Sequence, residues 1–232
     1  MSDAHHHGLV IPAPAGFVPH TVAHHFDSAD REFQAAKFGF WLFLATEILL
    51  FGGLFTAFFY FHDVYAETFV KAGSLLNWKL GTLNTVLLLT SSWTMALGVR
   101  SAMLSERKKM LTYLGLTLLC AAGFMVVKGI EYTAKFEHGL LPGYYFGPHG
   151  EYAEALAGLP YPNLFFSFYF TMTGIHGLHV LIGMVLIGWL MIGGAKRRYH
   201  SGYYTPVEIV GLYWHLVDLI WIFLFPLLYL VP

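Results

Sequence analysis

The chain contains 232 residues, of which 56% are hydrophobic and only 12% are charged, and its formal net charge is -1. Soluble domains carry about 25% charged residues, so this composition excludes a disordered chain, a nucleic-acid-binding protein and an ordinary soluble enzyme. The single cysteine, Cys120, excludes an internal disulfide framework and a four-cysteine metal site. The composition therefore indicates an integral membrane protein with no nucleic-acid partner.

The first 37 residues are polar and rich in histidine and proline. We interpret residues 1–37 as a mostly irregular tail and residues 38–232 as one transmembrane domain. Acidic residues between Asp27 and Glu32 favour a helix start there, because negative side chains stabilise a helix N-terminus. Imidazoles exchange protons near pH 7, so the tail is either a proton collector or simply a solvated segment. Its histidines are His5, His6, His7, His20, His24 and His25.

Five apolar runs follow, and each is long enough to cross a bilayer, which takes about 20 helical residues. The runs are apolar on all sides, as expected for helices in lipid or in a bundle interior. They cover about residues 38–61, 80–104, 110–133, 164–192 and 207–231. We therefore predict an all-α fold, an integral membrane bundle of five transmembrane helices.

Lysine and arginine residues predict the orientation of this bundle. With five spans, the tail and the loops after the second and fourth spans share one side and hold nine basic residues. The longest loop on the opposite side is acidic. The positive-inside rule therefore predicts a cytoplasmic N-terminus and an external C-terminus.

Polar residues within the runs are the candidate functional residues, because a charge at a helix centre costs at least about 2.5 to 3.5 kcal/mol. Glu47 lies roughly 15 Å along the first run, where burial penalises the charged form. We expect a neutral acid that either exchanges protons or bonds to a neighbouring helix. The candidates are Glu47, Lys128, Glu131, His176, His179, His215 and Asp218.

Two pairs of these residues are spaced three apart, which places both members on one helix face. Lys128 and Glu131 predict a local ion pair near the outer end of the third span. The same spacing would let Asp218 orient the His215 ring or stabilise a positive charge on it. A carboxylate plays this part when it hydrogen-bonds to a histidine that binds a metal. No complete set of metal ligands accompanies the second pair, so bonding between helices is favoured.

His176 and His179 are compatible with two interpretations. A histidine from each of two helices can hold a haem, and His176 with His215 is one such pair. Gly174, Gly177 and Gly183 leave room for a cofactor, but they fit close helix packing equally well. From spacing alone, structural histidines are favoured over haem ligands.

Several segments resemble, in order, the subunit III family of the haem-copper oxidases, the cytochrome c oxidase subunit III family. Glu131-Tyr132 is similar to the family's Glu-Tyr pair, and residues 173–179, Thr-Gly-Ile-His-Gly-Leu-His, to its Thr-Gly-x-His-Gly-x-His signature. The other matching segments are residues 46–51 (Thr-Glu-Ile-Leu-Leu-Phe), 83–91 (Leu-Asn-Thr-Val-Leu-Leu-Leu-Thr-Ser) and 213–221 (Tyr-Trp-His-Leu-Val-Asp-Leu-Ile-Trp). The resemblance covers about residues 36–231.

This resemblance implies an accessory subunit with no catalytic residue, metal or redox cofactor of its own. The haems and copper are then expected in subunits I and II, with this chain directly on subunit I, phospholipid between its helices and support for proton uptake. Glu47 becomes a proton-linked buried carboxyl. The implied structural polar network is Lys128, Glu131, His176, His179, Trp214, His215 and Asp218. Five spans depart from the family's seven-helix form and match its five-helix bacterial form. The lack of the two further helices puts the lipid cleft that they build in doubt.

The sequence therefore predicts subunit III of a bacterial respiratory terminal oxidase in the inner membrane, which couples dioxygen reduction to proton translocation. Glu47 and the stretch around it favour cytochrome c as the electron donor, with quinol as the alternative. The accessory protein of nitric oxide reductase is a more distant alternative. A different class remains as a rival, a stand-alone membrane cytochrome or metal transporter that uses His176, His179 and His215.

Overall fold

The computed structural model describes residues 9–230, and within them the chain forms helices and one short β-hairpin. The hairpin pairs β1 (Val10–Ile11) with β2 (His20–Thr21) in antiparallel register. The helices are α1 (Ala29–Val64), α2 (Ala66–Ser74), α3 (Trp78–Met103), α4 (Arg107–Glu137), α5 (Glu151–Leu156), α6 (Pro162–Ala195) and α7 (Thr205–Phe225). A 3₁₀ turn covers Gly143–Tyr145, and a π-helical turn, Pro226–Leu230, extends α7.

Five of these helices, α1, α3, α4, α6 and α7, are long and apolar enough to cross a membrane. The prediction of an all-α protein with five such helices is confirmed. Helix α1 has 36 residues, about 54 Å at 1.5 Å per residue, so it extends well beyond a hydrocarbon core of about 30 Å. The short helices α2 and α5 lie in the connections before α3 and α6.

Local chemistry accounts for where α1 begins, nine residues before the first apolar run. Ser28 is its N-cap, with the Ser28 hydroxyl accepting a hydrogen bond from the Arg31 amide at 3.2 Å. Asp30 and Glu32 lie in the first turn, where they complement the positive end of the helix dipole. Asn77 caps α3 in the same way through its side-chain oxygen.

The packed body of the bundle consists of α3, α4, α6 and α7, and α1 lies against the outside of α6 and α7. Only 17% of the apolar window of α1 is buried, compared with 50% for the last span. The buried side chains of α1 form one narrow stripe, Phe40, Leu44, Phe51 and Phe58. The rest of its apolar surface therefore faces outward.

The end of the bundle that holds the N-terminal hairpin also gathers most of the basic residues. Lys37 of α1 forms an ion pair with Glu208 of α7 at 2.9 Å. The Ser201 amide donates to the Ser105 hydroxyl at 2.9 Å, which joins the α6–α7 loop to the α3–α4 turn. The three basic segments noted in the sequence therefore meet at one end of the molecule.

Residues 9–28 are more ordered than the irregular tail that their composition predicts. The Val18 amide donates to the Arg197 carbonyl at 3.0 Å, and Arg197 Nη1 donates to the Gly16 carbonyl at 3.0 Å. His20 stacks on Tyr203 with ring centroids 3.5 Å apart and contacts Glu32 at 3.0 Å. These partners lie on the α6–α7 loop and α1, so the order of the hairpin comes from tertiary contacts. His5, His6 and His7 lie outside the described residues.

A buried ring on the α6–α7 loop supports the hairpin. The Gly202 amide donates to His200 Nδ1 at 3.2 Å, so this nitrogen carries no proton. Burial lowers the pKa of His200, which agrees with a neutral ring. The ring of Phe17 approaches it edge-on, with centroids 6.0 Å apart.

Gly183 allows α6 to approach α7. A Cβ atom at Gly183 would lie 2.7 Å from the ring of Trp214, which is fully buried. At Gly177, by contrast, a Cβ would meet no atom of a neighbouring element within 4 Å among the described residues. The close-packing interpretation of the α6 glycines therefore holds for Gly183 and not for Gly177.

We expect Gly183→Ala to destabilise the protein by about 1 to 3 kcal/mol, because the added methyl group overpacks the contact with Trp214. Gly177→Ala is the matched control, since both substitutions replace a helical glycine and gain the same helix propensity. The measurement is the thermal unfolding midpoint in detergent. Equal midpoints for the two variants would show that α6 and α7 do not meet at this glycine.

Candidate functional site

Glu47 and His179 link α1 to α6 within the spans. Glu47 Oε2 lies 2.8 Å from His179 Nε2, and each side chain is 12% exposed. His179 Nδ1 lies 2.8 Å from the Ile175 carbonyl oxygen one turn earlier on α6. Phe51 packs edge-on against the same imidazole at 5.5 Å. The sequence placed both residues among the candidates but did not pair them.

The geometry limits the protonation states of this pair. A carbonyl oxygen only accepts hydrogen bonds, so His179 Nδ1 carries a proton. A hydrogen bond between Nε2 and Glu47 then holds one further proton, either on a neutral glutamic acid or on an imidazolium facing a carboxylate. The pair is neutral overall in both cases, which reduces the cost of burying it. It is also the one acid–imidazole contact that the described residues place between two spans.

Lys128 and Glu131 form the ion pair that their spacing predicts, with Nζ and Oε2 2.9 Å apart. Tyr229, in the turn after α7, completes the cluster. Lys128 Nζ donates to the Tyr229 hydroxyl at 2.8 Å, and that hydroxyl donates to Glu131 Oε1 at 2.7 Å. The ring of Trp221 lies 4.9 Å below the ammonium group. The cluster therefore joins α4 to the end of α7.

Three members of this cluster were missed in the sequence. Lys135 is buried one turn beyond Glu131, and its ammonium lies 5.1 Å from the ring of Tyr169. Tyr169 and Tyr229 supply the aromatic walls and hydroxyl groups. The spacing of four between Glu131 and Lys135 was a usable signal. Nothing in the spacing pointed to the tyrosines, because they come from α6 and from the turn after α7.

His215 and Asp218 do not pair with each other. His215 Nδ1 instead lies 2.7 Å from the Ser92 hydroxyl of α3, which is the bonding between helices that the sequence favoured. Asp218 neighbours Ser92, but neither of its buried carboxyl oxygens has a hydrogen-bond partner among the described residues. The hypothesis that Asp218 bonds directly to His215 and orients it is therefore wrong, because no hydrogen bond joins the two side chains and His215 bonds to Ser92 instead.

Helix α3 presents a row of hydroxyl groups to its neighbours. Trp214 Nε1 donates to the Ser91 hydroxyl at 2.9 Å, and Trp221 Nε1 donates to the Thr85 hydroxyl at 3.0 Å. Toward α4, the hydroxyl groups of Thr94 and Thr117 are 2.8 Å apart. The sequence identified Trp214 but not its partner. Small hydroxyl residues are common at helix contacts in membranes, so nothing in the sequence distinguished Ser91 from the other serines and threonines.

His176 is completely buried, and neither ring nitrogen has a hydrogen-bond partner among the described residues. Its ring lies between Trp221, with centroids 5.2 Å apart, and Phe124 at 5.6 Å. Within residues 9–230, no group of three His, Cys, Asp or Glu side chains is arranged to hold a metal ion. The three histidines therefore lie in separate environments. His176 packs between aromatic rings, His179 contacts the acid Glu47, and His215 contacts the Ser92 hydroxyl.

The chemistry available to these residues is proton exchange and helix cross-linking. The Glu47–His179 pair combines an acid and a base within hydrogen-bond distance, which is the geometric requirement for passing a proton between them. The other contacts are side chains that satisfy each other across helix interfaces.

Comparison with known proteins adds a family to this geometry. The sequence profile described as "Cytochrome c oxidase subunit III" matches residues 23–138 and 144–231. Cytochrome c oxidase subunit 3 of Bacillus sp. (strain PS3) is 32% identical over 193 residues, which are 83% of this chain and 84% of the relative. Quinol oxidase subunit 3 of Bacillus subtilis (strain 168) is 32% identical over 213 residues, 90% of this chain and 95% of the relative. Cytochrome bo(3) ubiquinol oxidase subunit 3 of Pseudomonas aeruginosa is 31% identical over 213 residues, 91% and 92% of the two chains.

We expect Glu47→Gln to keep α1 attached, because a glutamine amide can still donate to His179 Nε2. Glu47→Leu should weaken the α1–α6 contact by about 1 to 3 kcal/mol, the cost of leaving a buried nitrogen unpaired. The measurement is the protease sensitivity of α1 in detergent. Loss of the contact in Glu47→Gln, to the extent seen in Glu47→Leu, would mean that an ionised pair is required.

We expect Glu131→Gln to destabilise the protein by about 3 to 5 kcal/mol, since it leaves the buried Lys128 without its counter-ion. Glu106→Gln is the matched control, because Glu106 also pairs with a lysine three residues away, Lys109, but at the surface. Thermal unfolding of both variants in the same detergent provides the comparison. If both unfold at the parental temperature, Lys128 is not held by Glu131.

Proposed function

This chain belongs to the cytochrome c oxidase subunit III family and is a subunit of a haem-copper terminal oxidase complex, and from this we propose its function in more detail. We propose an accessory subunit of a bacterial aerobic oxidase of the cytochrome c type, which couples dioxygen reduction to proton translocation. In this proposal the chain packs directly on subunit I, near subunit II and further small subunits. The haems and copper belong to those partner subunits, and the present chain adds stability and proton uptake.

The observation that carries the proposal is the family match over two segments that together span all five long helices. The contacts within the spans agree with a structural role. Glu47, Lys128, Trp214 and His215 each bond to a residue on another helix or on the turn after α7.

The outward surface of α1 supports a partner or lipid beside it. Trp41 is 62% exposed and Leu49 is 76% exposed in the chain by itself. Such side chains are not left in water in a multi-pass membrane protein, so they face lipid tails or another subunit. We propose that part of this surface contacts subunit I, with phospholipid covering the rest.

The proposed orientation places the basic end of the bundle, with the N-terminal hairpin, in the bacterial cytoplasm. Nine of the 13 Lys and Arg residues belong to the segments that meet there, and the positive-inside rule assigns such a side to the cytoplasm. The C-terminus is then external. The histidines at this end would be available to support proton uptake, although His20 is already engaged by Glu32 and Tyr203.

Cytochrome c is the electron donor that we propose, and quinol is the alternative. Relatives at about the same identity bear both names, so overall similarity does not favour either donor. The preference rests on Glu47 and the surrounding stretch of α1. Assays of the purified complex with reduced cytochrome c and with a quinol distinguish the two.

We expect the chain to co-purify in mild detergent with a haem-bearing, copper-containing subunit I. The isolated chain should show no Soret absorbance. A Soret band on the isolated chain would support the rival assignment as a stand-alone membrane cytochrome. Purification without any haem protein, from membranes that contain active oxidase, would contradict the proposal.

A further inference from the structure

A cavity of about 380 Å³ opens at the basic end of the bundle. The hairpin tip, residues 15–17, forms one wall, and the α3–α4 turn and Arg197 form the others. Arg107, Lys108 and Lys109 all line it, together with a single acid, Glu106. Four cations around one small cavity create a positive field that favours an anionic ligand.

Two of these cations are held in place by neutral groups. Arg107 donates from Nε to the Gly194 carbonyl at 3.1 Å and from Nη2 to the Ala195 carbonyl at 3.0 Å. Arg197 donates to the Gly16 carbonyl. Carbonyl oxygens fix the position of a guanidinium without cancelling its charge. The cavity therefore has two preplaced positive groups and spare N–H donors, because each guanidinium carries five.

The two lysines differ in what they add to the positive charge of the cavity. Lys109 Nζ donates to Glu106 Oε1 at 2.8 Å, so these two groups offset each other. Lys108 is exposed, and its ammonium group has no hydrogen bond or ion pair among the described residues. With Arg107 and Arg197, it leaves three uncompensated cations around the space.

A second cavity, of about 210 Å³, is lined by the end of α3 and the start of α4 and shares Glu106 and Lys109 with the first. Arg100 adds a fifth cation there, and Leu97 and Tyr113 line its lower part. Leu104, which caps the C-terminal end of α3, also lines this cavity and is 57% exposed. The second cavity therefore combines cationic groups with apolar side chains, which an anionic phospholipid could contact through its head group and the start of its acyl chains.

We propose that these neighbouring cavities bind the phosphate group of an anionic phospholipid, whose acyl chains begin along Leu97, Leu104 and Tyr113. Basic sites of this kind between helices bind anionic head groups at the cytoplasmic surface. The site is separate from any lipid between the spans. The inference rests on the proposed function only in assigning the site to the cytoplasmic leaflet.

The test uses the oxidase complex purified in detergent and stripped of lipid. Native mass spectrometry measures lipid on this chain after the complex is dissociated in the gas phase. The probes are dioleoylphosphatidylglycerol, the zwitterionic dioleoylphosphatidylcholine and inorganic phosphate. The variant is Lys108→Gln/Lys109→Gln, and the matched control is Lys196→Gln/Arg198→Gln, which removes the same charge from exposed positions that do not line the cavities.

We expect phosphatidylglycerol to bind about tenfold more tightly than phosphatidylcholine, and the lysine variant to lose most of this preference. The control variant should keep it. In the parent, raising the salt concentration to about 0.5 M should weaken phosphatidylglycerol binding, since screening reduces the attraction of exposed cations. The salt measurement needs no variant, so it stays informative if the double variant folds poorly.

Equal binding of the two lipids would overturn the proposal, as would equal losses in the variant and the control. If inorganic phosphate binds and the two lipids bind equally well, the ligand of the site is a free anion and not a phospholipid. None of these outcomes tests the proposed role as an oxidase subunit, because that role is tested by a different measurement, co-purification with a haem-bearing subunit.

Discussion

The cost of burying polar side chains away from water controls most of this structure. In a bilayer a polar group must find its partner within the protein, and an unpaired one costs several kcal/mol. Lys128 meets this requirement with Glu131, Tyr229 and the face of Trp221. Glu47 meets it with His179. Because each contact joins different segments, satisfying the polar groups also fixes which helices are neighbours.

The same requirement makes α3 the central element of the bundle. Its hydroxyl groups accept the indole N–H groups of Trp214 and Trp221 and contact His215. Serine and threonine are small enough to let helices approach while still offering a hydrogen bond. Not every polar group is satisfied in this way: Asn84, His176 and Asp218 are buried without a partner among the described residues. These three side chains lie in the spans of α3, α6 and α7, and their polar atoms do not contribute hydrogen bonds to the packing of the described residues.

The sequence predicted local features well and distant ones poorly. Five apolar runs are sufficient to locate the long helices, and a spacing of three on one helix is sufficient to pair Lys128 with Glu131. The pairing of Glu47 with His179 could not be predicted in this way, because the two residues are 132 positions apart. Any acid could in principle pair with any histidine of another span, and the sequence does not select one pair. The error at Asp218 has the same cause: local spacing suggested that it pairs with His215, whereas Ser92 of α3 bonds to that ring. The hairpin was missed because its order comes from Arg197, Tyr203 and Glu32 rather than from its own composition.

The attachment of the first span has a consequence for biosynthesis. Lys37 and Glu47 of α1 reach Glu208 and His179, which belong to the last two spans, and the hairpin before α1 bonds to Arg197 between them. A ribosome releases α1 first and these partners last. The contacts of Lys37 and Glu47 with these partners can therefore form only after α6 and α7 have entered the bilayer. The hairpin bonds to Arg197 and stacks on Tyr203, so it can dock only after α6 and the loop that follows it have been made.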